Sequence, residues 1–193
     1  MVAGSTNCRL SDDTAGYWAP TLMMNEQPVG ITRINVYYLV GTGITPASVQ
    51  PFPADFRMIA GGDTTQTKPR VVSYGCGGSA RTTVPGNCGT KPVRAHIHFP
   101  NCWVGGDATD SFDHRSHMAV SKSSGCPASH PVPLPKIVIQ IVYATTDATG
   151  ATLSSGSATT LHADFWNTWN QPALEALVAT CLNPGGDCGE LIG

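Results

Sequence analysis

Six of the seven cysteines fall into three close pairs along the 193-residue chain, at Cys76 and Cys88, Cys102 and Cys126, and Cys181 and Cys188. We predict that these pairs form sequence-local disulfides and leave Cys8 over. Each closed loop would then add roughly 2–4 kcal/mol of stability by the chain-entropy model. A zinc site is the alternative, but no Cys-x-x-Cys pair occurs, so disulfides are preferred. Because disulfides persist in oxidising compartments, the pattern predicts a secreted, extracellular protein.

Between the cysteines, the hydrophobic pattern is that of short strands. The stretch 93–99 alternates apolar and polar residues, and 136–143 is rich in β-branched residues. One helix is expected over 172–182, with a proline near its start and Asn170 as a candidate N-cap. The 21 glycines and 15 prolines mark many turns. The sequence therefore predicts one mainly β domain over 1–193, an antiparallel β-sandwich or jelly roll with a single C-terminal helix.

Charge and hydropathy exclude several classes of partner. Charged residues make up 12% of the chain and the formal net charge is −2, so a basic surface for nucleic acid is not expected. No apolar run is long enough to span a bilayer. The first eight residues lack the basic and apolar regions of a signal peptide, which leads us to expect that a signal sequence has been removed. The sequence does not indicate an oligomeric state.

The densest group of chemically capable side chains is Asp113, His114 and His117. It lies in the long polar stretch 101–135, and a stretch of that length inside a compact domain is often functional. The three-residue spacing would bring both histidines to one side of a turn or tight loop. Asp113 could be a metal ligand, a general base or the acceptor that fixes a histidine tautomer. The structural alternative is a hydrated loop whose polar groups bond its own backbone.

Two further histidine groups lie on predicted strands. His162 and Asp164 are two residues apart and therefore share one strand face, as do His96 and His98. Neutral imidazole is a common ligand for divalent metal ions, so one divalent metal ion is a candidate cofactor. The candidate metal ligands are His114, His117 and His162, with His96 and His98 as the alternative pair.

Aromatic side chains offer a different kind of site, because indole and phenol rings can stack on sugars. The candidates are Tyr17, Trp18, Trp103, Trp166 and Trp169. A carbohydrate-binding role would rest on Trp103, Trp166 or Trp169. The alternative is that these rings belong to the hydrophobic core, where tryptophan is highly buried on average.

Several motifs in the chain are distinctive when taken together. They are Phe-Pro-Asn-Cys-Trp at 99–103, Asp-His-Arg-Ser-His-Met at 113–118, Cys-Pro-Ala-Ser-His-Pro-Val-Pro-Leu-Pro at 126–135 and His-Ala-Asp-Phe at 162–165. With Gly-Tyr-Trp-Ala-Pro-Thr-Leu at 16–22 and Phe-Arg-Met-Ile-Ala-Gly at 56–61, they resemble the DUF1996 family of domains of unknown function. Members of that family are secreted proteins of actinobacteria and filamentous fungi.

The resemblance implies a kind of partner but no particular reaction. Family members are often joined to lectin-like or cell-wall-binding modules, which implies polysaccharide as a partner. The family usually has Cys-Trp-Asp-Gly where this chain has Cys-Trp-Val-Gly at 102–105, so a role for that acid would pass to Asp107 or Asp110. The family also carries an earlier segment with a His-x-His pattern, so we expect this domain to be truncated at its N-terminus.

The leading functional hypothesis is a secreted protein that acts on polysaccharide or cell wall through a His/Asp site, by hydrolysis that a metal ion could assist. The histidines of the candidate ligand set would act as ligands or acid/base groups, while Asp113 and Asp164 orient them or polarise water. The alternatives are a non-catalytic carbohydrate-binding module and a structural protein of the cell envelope.

Overall fold

The computed structural model describes residues 6–62, 71–76 and 83–185. Within these residues the chain forms thirteen strands and one α-helix, namely β1 (Gly16–Trp18), β2 (Leu22–Met24), β3 (Gln27–Pro28), β4 (Ile31–Leu39), β5 (Arg57–Gly61), β6 (Val72–Gly75), β7 (Arg94–His98), β8 (Cys102–Trp103), β9 (Met118–Ala119), β10 (Val132–Pro133), β11 (Lys136–Tyr143), β12 (Thr152–Leu153), β13 (His162–Trp166) and α1 (Gln171–Leu177). The described strands form four antiparallel sheets with the orders β4-β11-β7-β6, β1-β13-β5, β10-β8-β9 and β12-β2-β3. The predicted mainly β fold with a C-terminal helix is confirmed.

The four-stranded sheet and the sheet β1-β13-β5, here called the two large sheets, share one hydrophobic core. Ala95 and Ile97 of β7 are fully buried, as are Ala163 and Phe165 of β13, and all four belong to one core cluster. The rings of Phe99 and Phe165 meet edge to face with their centroids 6.4 Å apart. Because side chains alternate along a strand, the residues between these apolar positions point away from the core. Each of these two sheets therefore has an outer face that carries polar side chains.

The C-terminal helix begins where the sequence predicts it. The side chain of Asn170 accepts a hydrogen bond from the backbone N–H of Ala173, which caps the first turn of α1. Leu174 is buried, and the helix continues as a π-helical turn over Val178–Leu182, both ends of which are buried in the core. In the described part of the chain, no helix is long and apolar enough to cross a membrane.

Disulfides tie two of the loops. Two of the three predicted bridges are formed, Cys76–Cys88 and Cys102–Cys126, with Cα–Cα distances of 5.2 and 5.5 Å. Cys8 is a free, half-buried thiol. The third predicted bridge involves Cys188, which lies outside the described residues.

The polar stretch between β8 and β10 packs along the free edge of β5. The backbone N–H of Arg57 donates to the carbonyl of Thr109 at 3.0 Å, and that of Ile59 donates to the carbonyl of His114 at 2.9 Å. Residues 109–117, here called the histidine loop, thus lie against the open edge of the three-stranded sheet β1-β13-β5. This contact brings the Asp-His-Arg-Ser-His motif beside the outer face of that sheet.

Candidate functional site

The outer face of the sheet β1-β13-β5 carries the two polar residues of β13 that the sequence marked as candidate site residues. His162 and Asp164 alternate with the buried residues of this strand and are themselves half-buried, so they share the outer face as the two-residue spacing predicted. Trp18 of β1 lies directly opposite Asp164 in the strand register. Its side chain is 51% exposed, and its ring centroid lies 5.4 Å from that of His162. An exposed indole therefore flanks an imidazole and a carboxyl group.

One ring nitrogen of His162 is hydrogen-bonded, and the other has no hydrogen-bond partner among the described residues. Its Nδ1 lies 2.8 Å from the carbonyl oxygen of Thr160, which can only accept, so Nδ1 carries the proton of the neutral ring. Nε2 then holds the lone pair, and no described residue hydrogen-bonds to it. The ring lines an open cleft of about 350 Å³, within the size range of ligand pockets. The other lining residues are Ile59, Gly62, Arg115, Ser155 and Thr160.

Asp164 is a carboxyl group in an environment that favours its protonated form. Its Oδ1 is buried and has no hydrogen-bond partner among the described residues. Burial raises the pKa of this carboxyl, because the charged form loses hydration, and the nearby groups of His162, Arg115 and His114 oppose only part of that rise. A carboxyl that retains its proton at higher pH than usual is suited to donate it.

Arg115 supplies the cleft with a cation that forms no ion pair with a described carboxylate, although it lies close enough to Asp164 to act on the pKa of that carboxyl. Its Nη1 donates to the carbonyl of Ile59 at 3.4 Å, a long contact, and most of the five guanidinium donors have no hydrogen-bond partner among the described residues. The ion pairs between described residues are elsewhere, at Arg57–Asp55 and His114–Asp110. The guanidinium therefore remains available to an acceptor that enters the cleft.

His117 has a structural position that does not match its predicted role as a ligand or acid/base group. The residue is only 4% exposed, and burial lowers the pKa of its ring. Its Nε2 donates to the carbonyl of Arg57 at 2.8 Å, and its Nδ1 lies 2.8 Å from the hydroxyl of Ser111. The ring also packs on Phe56, with centroids 5.2 Å apart. Both nitrogens are thus occupied, and His117 attaches the histidine loop to β5.

Asp113 and His114 are likewise engaged within the loop. Oδ1 of Asp113 accepts from the backbone N–H groups of Arg115 and Ser116 at 3.0 and 2.8 Å, and such bonds hold the pKa of this carboxyl well below its usual range. Asp113 therefore orders the turn, which places Arg115 at the cleft. His114 is exposed, and its Nδ1 lies 2.7 Å from a carboxylate oxygen of Asp110.

The predicted metal triad of His114, His117 and His162 is not assembled. The described residues contain no group of three His, Cys, Asp or Glu side chains that could hold a metal ion. The physical reason lies in the bonds of the histidine loop, where the nitrogens of His117 serve the loop and β5. The alternative pair, His96 and His98, shares the outer face of the four-stranded sheet, but Nε2 of His96 accepts from the amide of Gln140 at 2.8 Å.

Two of the three tryptophans chosen for sugar binding are core residues. Trp103 is 7% exposed and packs edge to face on Phe56, and Trp169 is 8% exposed with its Nε1 donating to the hydroxyl of Tyr38 at 3.0 Å. Neither ring offers a free face, so neither can stack on a sugar. Trp166 differs, because it is half-buried on the outer face of β13 and the guanidinium of Arg57 lies 4.3 Å from its ring centre.

Arg115 is the site residue that sequence reasoning missed. It lies inside the Asp-His-Arg-Ser-His motif, but attention to metal ligands favours the histidines and the aspartate. Trp18 belonged to the wider aromatic set and was not among the preferred three. Its exposure follows from the pairing of β1 with β13, which no local pattern reveals.

The comparisons with known proteins agree with the motifs. The family model described as a domain of unknown function, DUF1996, matches residues 2–169. No curated protein and no solved structure shows significant similarity to the chain. With most of its length matched by this one model, the chain belongs to the DUF1996 family.

Proposed function

We propose that this protein is secreted and acts on a polysaccharide bound across the outer face of the sheet β1-β13-β5. The observation that carries the proposal is the grouping, on this one face, of a half-exposed indole, an imidazole that lines an open cleft and a carboxyl with a raised pKa. These groups belong to Trp18, His162 and Asp164. The two disulfides are consistent with an extracellular location.

The face offers the two kinds of contact that a sugar requires. The apolar face of a sugar ring can pack on the indole of Trp18, which is amphipathic and already half-exposed. Sugar hydroxyls are donors and acceptors, and the lone pair of His162 Nε2, the donors of Arg115 and the hydroxyl of Ser155 lie at the same cleft. Trp166 extends the aromatic surface along β13, two residues beyond Asp164.

The same face carries an acid and a base for proton transfer. Asp164 and His162 start about 6.5 Å apart along β13, because each residue of a strand advances about 3.3 Å. A carboxyl whose pKa is raised by burial is better suited to donate a proton to a leaving oxygen, while the lone pair of His162 Nε2 can accept a proton from the other side of the reacting group. Perturbed acid/base groups beside a cleft are typical of active sites.

Binding is tested with immobilised polysaccharides, both neutral and acidic, using Trp18→Ala and a matched control. Tyr37→Ala is that control, since Tyr37 is also an exposed aromatic but lies on β4 of the other large sheet. We expect Trp18→Ala to weaken binding by about fivefold or more, as the loss of one aromatic contact of about 1 kcal/mol implies, and Tyr37→Ala to have no effect. Failure of the wild-type protein to bind any polysaccharide would refute the proposal.

Turnover is tested with Asp164→Asn, which keeps the shape of the side chain and removes its acid group. We expect this variant to bind polysaccharide as the wild type does and to release products at least about 100-fold more slowly. If the wild type binds but releases no product, the face is a binding surface only, and the protein is then a carbohydrate-binding module.

A further inference from the structure

We infer that the cleft is built for an acidic polysaccharide and that the protein cleaves it by β-elimination next to the carboxylate of a uronic acid. This inference rests on the proposed function, because it names the substrate class and the reaction of the same site. It starts from three side chains with separate tasks: Arg115, His162 and Asp164.

Arg115 is the group that selects for a carboxylate. It lines the cleft, it forms no ion pair with a described residue, and its one side-chain hydrogen bond in the described structure is the long contact to Ile59. A guanidinium presents parallel donors that match the two oxygens of a carboxylate. Of the described carboxylates, Asp55 pairs with Arg57 and Asp110 with His114, while Asp164 interacts electrostatically with Arg115 without forming an ion pair with it.

His162 is suited to remove a proton from carbon. The carbonyl of Thr160 holds the proton of the ring on Nδ1, so the lone pair lies on Nε2, which has no hydrogen-bond partner among the described residues, and the ring lines the cleft. A hydrogen on the carbon next to a carboxylate becomes more acidic when a cation neutralises the charge that develops on the carboxylate oxygens. Arg115 lines the same cleft and supplies that cation.

Asp164 completes the reaction as the acid. Its carboxyl lies on the same strand face as His162, with Trp18 opposite, and burial favours its protonated form. A bound uronate would bring a second negative charge nearby, which favours protonation further because two adjacent carboxylates do not both ionise readily. The substrate therefore promotes the state of Asp164 that the reaction needs.

The step balances without a cofactor or a water molecule. Nε2 of His162 takes the proton from the carbon α to the carboxylate, and the electron pair left behind forms a double bond to the β carbon. The bond from the β carbon to the glycosidic oxygen breaks, and that oxygen takes the proton of Asp164. One product ends in an unsaturated uronate, and the other keeps the oxygen as its new reducing-end hydroxyl. Transfer of the proton from His162 back to Asp164 through solvent restores the enzyme.

The test uses polygalacturonate, alginate and a glucuronan, each beside its carboxyl-reduced counterpart, which has the same linkages without the charge. Ultraviolet absorbance detects the unsaturated product, and reducing ends are counted in the same samples. We expect both signals to rise together on at least one polyuronide and neither to rise on its reduced counterpart. Reducing ends without ultraviolet absorbance would mean hydrolysis, which overturns this inference and leaves the proposed function standing.

Variants separate the tasks of the three residues. Arg115→Gln is expected to lower kcat/KM by about 100-fold, in line with the loss of one charge-stabilising donor, and Arg115→Lys by less because the charge remains. Arg33→Gln is the matched control, an exposed arginine on β4 of the other large sheet, and should keep wild-type activity. Melting temperatures verify that each variant is folded. Wild-type activity in Arg115→Gln, or no unsaturated product from any of the three polyuronides, would overturn the inference; absence of all polysaccharide binding would refute the proposed function as well.

Discussion

Replacing His117 by alanine should destabilise the protein substantially, although the sequence suggested that this residue is a functional ligand. The substitution removes the hydrogen bonds that His117 forms with the carbonyl of Arg57 and with the hydroxyl of Ser111, and each lost hydrogen bond costs about 1 kcal/mol. It also removes a buried ring that packs on Phe56, which adds about 1–2 kcal/mol for the space left behind. We therefore expect His117→Ala to lower the free energy of unfolding by about 3–4 kcal/mol.

The assay is urea unfolding followed by tryptophan fluorescence, with and without EDTA. His114→Ala provides the comparison from the same loop, because His114 is exposed and its contact with Asp110 is a surface ion pair worth at most about 1 kcal/mol. Neither effect should depend on EDTA. Equal losses in the two variants, or a loss in His117→Ala that disappears once metal is removed from the wild type, would refute the role of His117 as the attachment of the histidine loop to β5.

Three further predictions concern the stability of the fold. Burial is the main reason that the pKa of His98 falls to about 4 from its ordinary 6.5. The folded state should therefore lose stability as pH falls from about 6.5 to about 4. Urea unfolding across this range should show the loss, and His98→Asn should reduce it. Replacing both cysteines of the Cys102–Cys126 bridge by serine should cost about 3.5 kcal/mol in the same assay, because the bridge joins residues 24 apart, and a cost below about 1 kcal/mol would contradict the chain-entropy estimate. Gly61→Ala should lower the melting temperature more than Gly89→Ala, since both glycines have positive φ but only at Gly61 would the new methyl group clash with a backbone carbonyl oxygen, that of Leu161; equal shifts would contradict this.

The fold could be predicted because its signals are local. The alternation of apolar and polar residues over 93–99 indicates which side chains lie on each face of β7. The same two-residue period places His162 and Asp164 on one face of β13. The close spacing of the cysteines in two pairs made their partners readable as well. Each of these inferences needed only the geometry of one strand or one short loop.

The site was harder to predict because its members come from segments far apart in the sequence. Trp18 joins His162 only through the pairing of the first and last strands, and Arg115 joins them only because its loop packs on β5. The burial of Trp103 depends on tertiary contacts that no window of sequence contains. For the same reason, the spacing of His114 and His117 suggested a joint role, whereas packing separates an exposed ring from a buried one.

The attachment of the histidine loop to β5 also protects the molecule from self-association. An open strand edge presents unpaired N–H and C=O groups that can recruit a strand from another copy of the chain, and the loop occupies these groups at Arg57 and Ile59. Changes that loosen the loop would therefore have two effects at once: they would displace Arg115 from the cleft, and they would expose the unpaired edge of β5. Selection for solubility would then act on the same residues as selection for function, which limits how freely this loop can vary.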